Sequence, residues 1–322
     1  MTDWTLLVME HPKASYLDAL RKLPAAVTVV VGDDLRFLEE TASRADAILV
    51  GMSKASLLRA IFPKATRLRW VHSLSAGVEN TLFPELATSP VTLTNGRGVF
   101  KRSLAEFAIA AALYFAKDLR RMVRNQEAGL WTQFDVEELH GKTMGIVGYG
   151  ETGRATAELA RPFGMKVLAL RRRPELSRRD PLLAAVYAPD GSREMLAASD
   201  CVVLATPSTS ETRHLIGRPE IASLKADAVL INVGRGSVVD EAALISALEA
   251  KRIRGAALDV FETEPLPAGS PFYRLDNVLL SPHCADHTTG WRELALTCFL
   301  RNLDRFQKGE PLENIVDKHA GY

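Results

Sequence analysis

Short apolar runs alternate with amphipathic stretches along most of this chain. Runs at Thr5–Met9, Val27–Val31, Ala47–Gly51, Arg69–Leu74 and Val91–Thr94 have strand length, and Tyr16–Leu23, Leu35–Ser43 and Ser56–Phe62 between them have helical spacing. Strands separated by helices in this way predict a parallel sheet covered on both faces. A long alanine-rich helix is predicted over Ser103–Glu127, followed by an arm bearing Trp131 and Phe134. The alternation then resumes, with strands at Met144–Val147, Lys166–Leu170, Cys201–Ala205, Ala228–Asn232, Gly255–Asp259 and Val278–Ser281. A last helix over Thr288–Gln307 leads into Glu310–Val316, a tail expected to fold back onto the first domain.

The strand Met144–Val147 runs directly into Gly148-Tyr149-Gly150-Glu151-Thr152-Gly153 and then into a helical pattern through Leu159. In a dinucleotide site each glycine has its own task. Gly148 allows the tight turn, Gly150 lets backbone approach the pyrophosphate, and Gly153 lets helix pack on strand. The helix N-terminus offers free N–H groups to the phosphates. G-x-G-x-x-G alone is weak evidence, but here the next strand completes a βαβ unit. The expected architecture is α/β, with two doubly wound parallel-sheet domains. A Rossmann dinucleotide-binding domain, residues 102–286, is inserted in a smaller flavodoxin-like substrate domain, residues 1–101 plus 287–322.

The end of the second Rossmann strand bears on cofactor choice. An NAD site usually places Asp or Glu there to hold the ribose 2′-hydroxyl. Eighteen residues past Gly153 the chain instead has Arg171, Arg172 and Arg173. Guanidinium groups match a 2′-phosphate in charge and geometry, so NADP is expected, with NAD a weaker possibility. The plainer alternative is a solvated basic loop continuing to Arg178 and Arg179.

Composition changes little in this picture. A net charge of +1 with 47% hydrophobic and 25% charged residues is ordinary for a globular protein and gives no case for nucleic acid or an anionic membrane. The longest apolar run, Phe107 to Ala116, is too short to span a bilayer. Asp3 and Trp4 lead straight into a strand pattern rather than a signal peptide. Cys201, Cys284 and Cys298 have no metal-site spacing and fit reduced thiols, so no metal and a cytoplasmic setting are expected.

Three residues just past successive strand ends carry the candidate chemistry: Arg235 in Asn232-Val233-Gly234-Arg235-Gly236, Glu264 before Pro265, and His283 after Ser281-Pro282. In doubly wound sheets, ligands bind outside the carboxyl ends of the strands. Hydride addition to a carbonyl leaves an oxyanion that needs a proton donor and a nearby positive charge. Histidine titrates near neutrality, a glutamate on its other nitrogen favours the imidazolium, and arginine can clamp a 2-oxo acid with paired bonds. Taken singly, each has a bland reading as a loop or turn residue.

These motifs resemble the D-isomer-specific 2-hydroxyacid dehydrogenase family, which includes glyoxylate/hydroxypyruvate reductases and 3-phosphoglycerate dehydrogenases. The resemblance runs over nearly the whole chain, from Leu139-His140-Gly141-Lys142-Thr143 through Gly153, Ala205-Thr206-Pro207, Glu211-Thr212-Arg213-His214, Asn232–Gly236, Glu264 and Ser281-Pro282-His283. It implies that Arg235 binds the 2-oxo acid, Glu264 tunes His283, and His283 is the acid/base. It further implies that Ser75, Ala76, Gly77 and Val78 take the substrate carboxylate and that the loop at Met52 reads the substrate side chain. Asp259 would hold the nicotinamide carboxamide, and Val233 and Thr206 would line its ring or ribose. Tyr149, Glu151, Thr152, Pro207, Gly234 and Ala285, together with Arg235 and His283 beside their catalytic roles, complete the implied cofactor contacts. A homodimer built on Ser103–Glu127 and the Trp131 arm is also expected.

Where such chains usually continue with small apolar residues and glycine, this one reads Cys284-Ala285-Asp286-His287. Asp286 is expected to cap the last helix, and His72, His140 and His214 are read as structural. The motifs leave two alternatives open: a dinucleotide-sensing binding protein like the corepressors of this fold, and a formate dehydrogenase-like enzyme.

Overall fold

The structure, a computed structural model, describes residues 4–52 and 54–322. The chain divides into two units: the residues up to Phe100 together with Thr289–Tyr322, and Lys101–Thr288.

Among its described residues the first unit holds five strands, β1 (Trp4–Met9), β2 (Val27–Gly32), β3 (Ala47–Val50), β4 (Trp70–Ser73) and β5 (Thr92–Asn95), in the order β2-β1-β3-β4-β5. All neighbours are parallel. The helix Trp291–Lys308 packs on this sheet through Phe299, stacked on Trp70 at 5.3 Å. The tail closes the edge: Ile315 bridges Thr94 antiparallel, and Val316 N–H donates to Leu93 O at 2.9 Å.

The second unit holds β6 (Thr143–Val147), β7 (Lys166–Leu170), β8 (Ala185–Tyr187), β9 (Cys201–Leu204), β10 (Val229–Asn232), β11 (Gly255–Leu258) and β12 (Val278–Leu280). Their order is β12-β11-β10-β9-β6-β7-β8, again all parallel. Alternate residues feed two separate cores: Val147, Leu168, Val202 and Leu230 on one face, Ile146, Val167, Val203 and Ile231 on the other. That is the period-two signature of a sheet buried on both sides. The order reverses between β6 and β9, the position where such sheets open a crevice.

Several elements depart from the sequence expectation. The long helix is two, Lys101–Ala116 and Leu119–Glu127, because Asp118 turns left-handed (φ 48°) and its carboxylate accepts the Arg121 N–H. Ser15–Lys22 winds as a 3-10 helix with no side-chain cap. The short edge strand β8 has no counterpart in the sequence reading; three half-buried residues carry little pattern. The last helix begins at Trp291 after Gly290, so Asp286 does not cap it.

His72 sits fully buried in the first unit, its Nδ1 2.7 Å from Thr94 Oγ1 and its ring against Phe299. Burial pushes its pKa down to about 3. The neutral ring's contribution to stability is therefore complete above about 6.5, the ordinary value, and is lost as pH falls from there toward 3. A Tm-against-pH curve should fall below about pH 6.5, and the fall should be shallower in His72→Gln. Parallel curves for the two proteins would contradict this.

Candidate active site

Because all seven strands of the second unit run parallel, the residues after β6, β7, β9, β10, β11 and β12 emerge at one edge of the sheet. The loop after β10 is shaped by Asn232, whose Oδ1 accepts the Gly234 N–H at 3.1 Å and whose Nδ2 donates to Arg235 O at 3.0 Å. Arg235 Nη1 donates to Gly234 O at 2.7 Å. Gly236 lies so close to the Phe261–Glu262 peptide that no Cβ fits. The loops carrying Arg235 and Glu264 thus meet backbone to backbone.

After β12, one carboxylate oxygen organises the turn. Asp259 Oδ1 accepts from Ser281 Oγ (2.6 Å), Cys284 N–H (2.9 Å) and Ala285 N–H (3.1 Å), and Asp259 O accepts from His283 N–H (2.8 Å). Asp259 itself is 1% exposed. This holds His283 in a left-handed conformation (φ 52°) and presents its ring to Glu264.

His283 Nδ1 donates to Glu264 Oε2 at 2.6 Å, and Glu264 Oε1 accepts the Phe261 N–H at 2.9 Å. The hydrogen bond to Glu264 raises the His283 pKa above its ordinary value; burial and the Arg235 charge oppose it more weakly. For Glu264, burial alone would raise the pKa, but the bonds from His283 and Phe261 outweigh it and the carboxyl ends below its ordinary value. The pair is therefore biased toward imidazolium and carboxylate, with Nε2 left to exchange a proton. Asp286 lies next along the loop, its carboxyl pushed up by burial and 3.7 Å from His287 Nε2.

The turn after β6 fits a dinucleotide. Gly148 has φ 94°, and a Cβ there would meet Thr206 Cγ2 at 2.7 Å and Ala205 backbone at 2.8 Å. Gly153 abuts Gly148 O, seating the helix Glu151–Ala160 on the turn, whereas nothing lies within 4 Å of a Cβ on Gly150. Thr206 Oγ1 is buried with no hydrogen-bond partner, the kind of orphan group a ligand satisfies. A Cβ on Gly234 would meet Thr206 O at 2.8 Å. Val233 is packed in the core, and Pro207 O accepts from Thr212 Oγ1 at 2.7 Å.

Other candidates around this turn have structural duties as well. Tyr149 is 5% exposed and its hydroxyl donates to Asp180 at 3.0 Å, so its side chain belongs to the core. Glu151 pairs with Lys101 at 2.6 Å, and Thr152 O accepts from Thr156 Oγ1 at 2.9 Å. At the end of β7, Arg171 Nη1 donates to Ser177 Oγ, Arg172 pairs with Glu211 at 3.3 Å, and Arg173 is exposed.

In the first unit, Ser75 Oγ donates to Met52 Sδ at 3.1 Å, bringing two predicted substrate residues together. Ala76 O accepts from Asn95 Nδ2 at 2.6 Å, Gly77 is partly exposed, and Val78 is buried at 1% exposure. Asn232 and Ser281 shape the site as well, beyond the residues expected from the sequence. Their signal is a polar residue at the buried end of an apolar strand. Among the described residues no cluster of His, Cys, Asp or Glu could hold a metal ion, and no helix is long and apolar enough to cross a membrane.

A family model described as D-isomer specific 2-hydroxyacid dehydrogenase, NAD binding domain, matches residues 109–285. The chain belongs to that family. It is 36% identical over 283 residues to a glyoxylate reductase of Thermococcus gammatolerans, covering 84% of this chain and 83% of that one. It is 35% identical over 315 residues to a glyoxylate/hydroxypyruvate reductase B of Salmonella schwarzengrund, covering 94% and 95%. Among solved structures it is similar to the NADPH-dependent glyoxylate/hydroxypyruvate reductase of Sinorhizobium meliloti in complex with NADP and sulfate. That similarity has a TM-score of 0.85 at 27% identity, over 99% of this chain and 100% of that one. Family membership makes the chain a dehydrogenase fold with a nicotinamide-dinucleotide-binding domain, and its two parallel sheets are the family's architecture.

Proposed function

We propose that this protein reduces small 2-oxo acids, glyoxylate or hydroxypyruvate foremost, to D-2-hydroxy acids with NADPH. The carrying observation is the 2.6 Å bond between His283 Nδ1 and Glu264 Oε2 at the sheet edge that bears Arg235. The relatives named as glyoxylate and hydroxypyruvate reductases, and the neighbour solved with NADP, support the substrate class and the cofactor.

In this reading Gly148–Gly153, Thr206, Val233–Gly234 and the Asp259 loop would hold the dinucleotide, which when bound would supply the hydride. Arg235 binds the substrate carboxylate and stabilises the negative charge that builds on the carbonyl oxygen, leaving the carbonyl carbon open to hydride. His283, kept protonated by Glu264, delivers its Nε2 proton to that oxygen as negative charge develops there. Arg171 and Arg172 would meet the 2′-phosphate.

The test is a pH profile. Reduction needs the imidazolium, so kcat/KM should be full below the His283 pKa and fall as pH rises through it. Glu264→Gln removes the carboxylate that raises this pKa, so the falling limb should move to lower pH, toward the ordinary 6.5 or below. A limb in the same place in both proteins would break the pairing.

The assembly proposed is a homodimer. Leu119, Met122, Val123, Leu130 and Val136 are exposed between 39% and 58%, and Trp131 is 98% exposed, all within one short stretch. So many large apolar side chains exposed within one short stretch of chain support an interface there. Light scattering at micromolar concentration should give twice the chain mass, and Trp131→Lys should shift it toward one. A monomeric wild type would rule the dimer out. Cys201, Cys284 and Cys298 are free thiols, which supports a reducing, cytoplasmic setting.

A further inference from the structure

A second imidazole–carboxylate pair stands beside the first. His214 Nε2 donates to Glu262 Oε1 at 2.5 Å, and His214 backbone N–H donates to Ser237 O at 2.8 Å. Ser237 lies in the loop that carries Arg235, while Glu262 lies two residues before Glu264. His214 therefore bonds to both loops at once. Its backbone is left-handed (φ 51°), a conformation that a residue with a Cβ keeps only when its surroundings fix it.

Glu262 is fixed from other directions too. Its N–H donates to Glu241 Oε1 at 2.7 Å, and its peptide with Phe261 presses on Gly236. The neighbouring Phe261 N–H is the one that holds Glu264 Oε1. We propose that His214 and Glu262 are positioning residues: they bracket the Arg235 loop to the Glu264 loop and so set the Glu264 carboxylate against His283. This rests on the roles assigned above to Glu264 and His283.

The charges around the bracket are few. Glu262 faces His214, Arg213 at 3.9 Å and Glu241, whose own carboxyl is raised by burial and by Glu262 and Glu264. His283 faces Glu264, Asp259, Arg235 and Asp286. The His214 and Glu262 side chains are 40% and 30% exposed, so as an ion pair they add little to global stability. Their effect belongs in the geometry of the loops rather than in Tm.

Two substitutions separate these roles. Asn tolerates the left-handed backbone but is too short to reach Glu262, whereas Gln keeps both the reach and an N–H donor. The measurement is the titration of the His283 ring by NMR in histidine-labelled protein, the signal assigned by its loss in His283→Asn, together with kcat, Tm and dinucleotide affinity. In His214→Asn the His283 titration should move to lower pH and kcat should fall about 3- to 30-fold, the scale expected of a slightly misplaced catalytic group. Tm and dinucleotide affinity should hold, and His214→Gln should restore both moved quantities. Glu262→Ala should reproduce His214→Asn, which keeps the test open if the Asn variant does not fold. An unmoved His283 titration overturns the proposal. So does a Gln variant as impaired as the Asn one, or a joint loss of Tm and dinucleotide affinity. The ring titration needs no turnover, so a wild type inactive on every 2-oxo acid would refute the assigned reaction while the titration still decides the bracket.

Discussion

Replacing His283 with Asn should lower kcat for 2-oxo acid reduction about 10²–10⁴-fold, the usual contribution of general acid–base catalysis. Asn suits the experiment because it accepts the left-handed backbone at this position (φ 52°), so the Ser281–Ala285 turn built on Asp259 survives. Its amide has no proton to give at neutral pH. The loss should fall on kcat rather than on dinucleotide affinity, since Gly148, Gly153 and Thr206 belong to other loops. Arg235→Gln should differ in kind, raising KM and lowering kcat together, because a guanidinium that binds the ground state and polarises the carbonyl acts in both terms. Steady-state kinetics and a fluorescence titration with NADPH distinguish the two patterns. A His283→Asn enzyme with wild-type kcat would remove the histidine from the chemistry.

The wild-type protein should prefer NADPH to NADH by roughly 30- to 1000-fold in kcat/KM, corresponding to about 2–4 kcal/mol from charge-assisted bonds at a partly exposed rim. Arg171 is anchored at the end of β7: its N–H donates to Tyr187 O at 3.1 Å, and its guanidinium donates to Ser177 Oγ, on a residue only 5% exposed. Arg172 is different. Its pairing with Glu211 at 3.3 Å must be exchanged for the phosphate, so its net contribution should be the smaller of the two. Arg171→Asp should repel the 2′-phosphate, offer a partner to a 2′-hydroxyl, and bring the preference to NADH. Salt should erode the wild-type preference, because exposed charges are screened over about 8–10 Å. The four kcat/KM values, two cofactors with two proteins, are the check. Equal use of NADH by the wild type would reduce Arg171–Arg173 to a solvated loop.

The parts of this molecule written in local pattern are legible in the sequence. Buried parallel strands leave continuous apolar runs, so the ends of β10, β11 and β12 can be read, and with them Arg235, Glu264 and His283 just beyond. Glycines with steric duties, Gly148 and Gly153, are legible for the same local reason. Features that depend on residues distant in sequence are not. The pairing of His214 with Glu262 spans 48 positions, and nothing near either residue announces it. Asp259 organises the His283 turn from more than twenty residues away, a role hidden behind its expected contact with nicotinamide. Asp118 breaks a helix because its short polar side chain can both turn left-handed and cap the helix Leu119–Glu127, and alanine-rich periodicity before it masks that. Spacing alone suggests Asp286 as a cap; the helix starts later, and the carboxyl stays near the imidazoles of His283 and His287.

Turnover is tested most directly by the initial rate of NADPH oxidation at neutral pH by the purified protein with glyoxylate and with hydroxypyruvate. Saturable oxidation of NADPH at about 1–10³ per second is expected with at least one of them, with His283→Asn nearly inactive under the same conditions. Tight binding of the dinucleotide with no oxidation in the presence of either acid, or of other 2-oxo acids, would contradict it and point to a dinucleotide-sensing protein on the same fold.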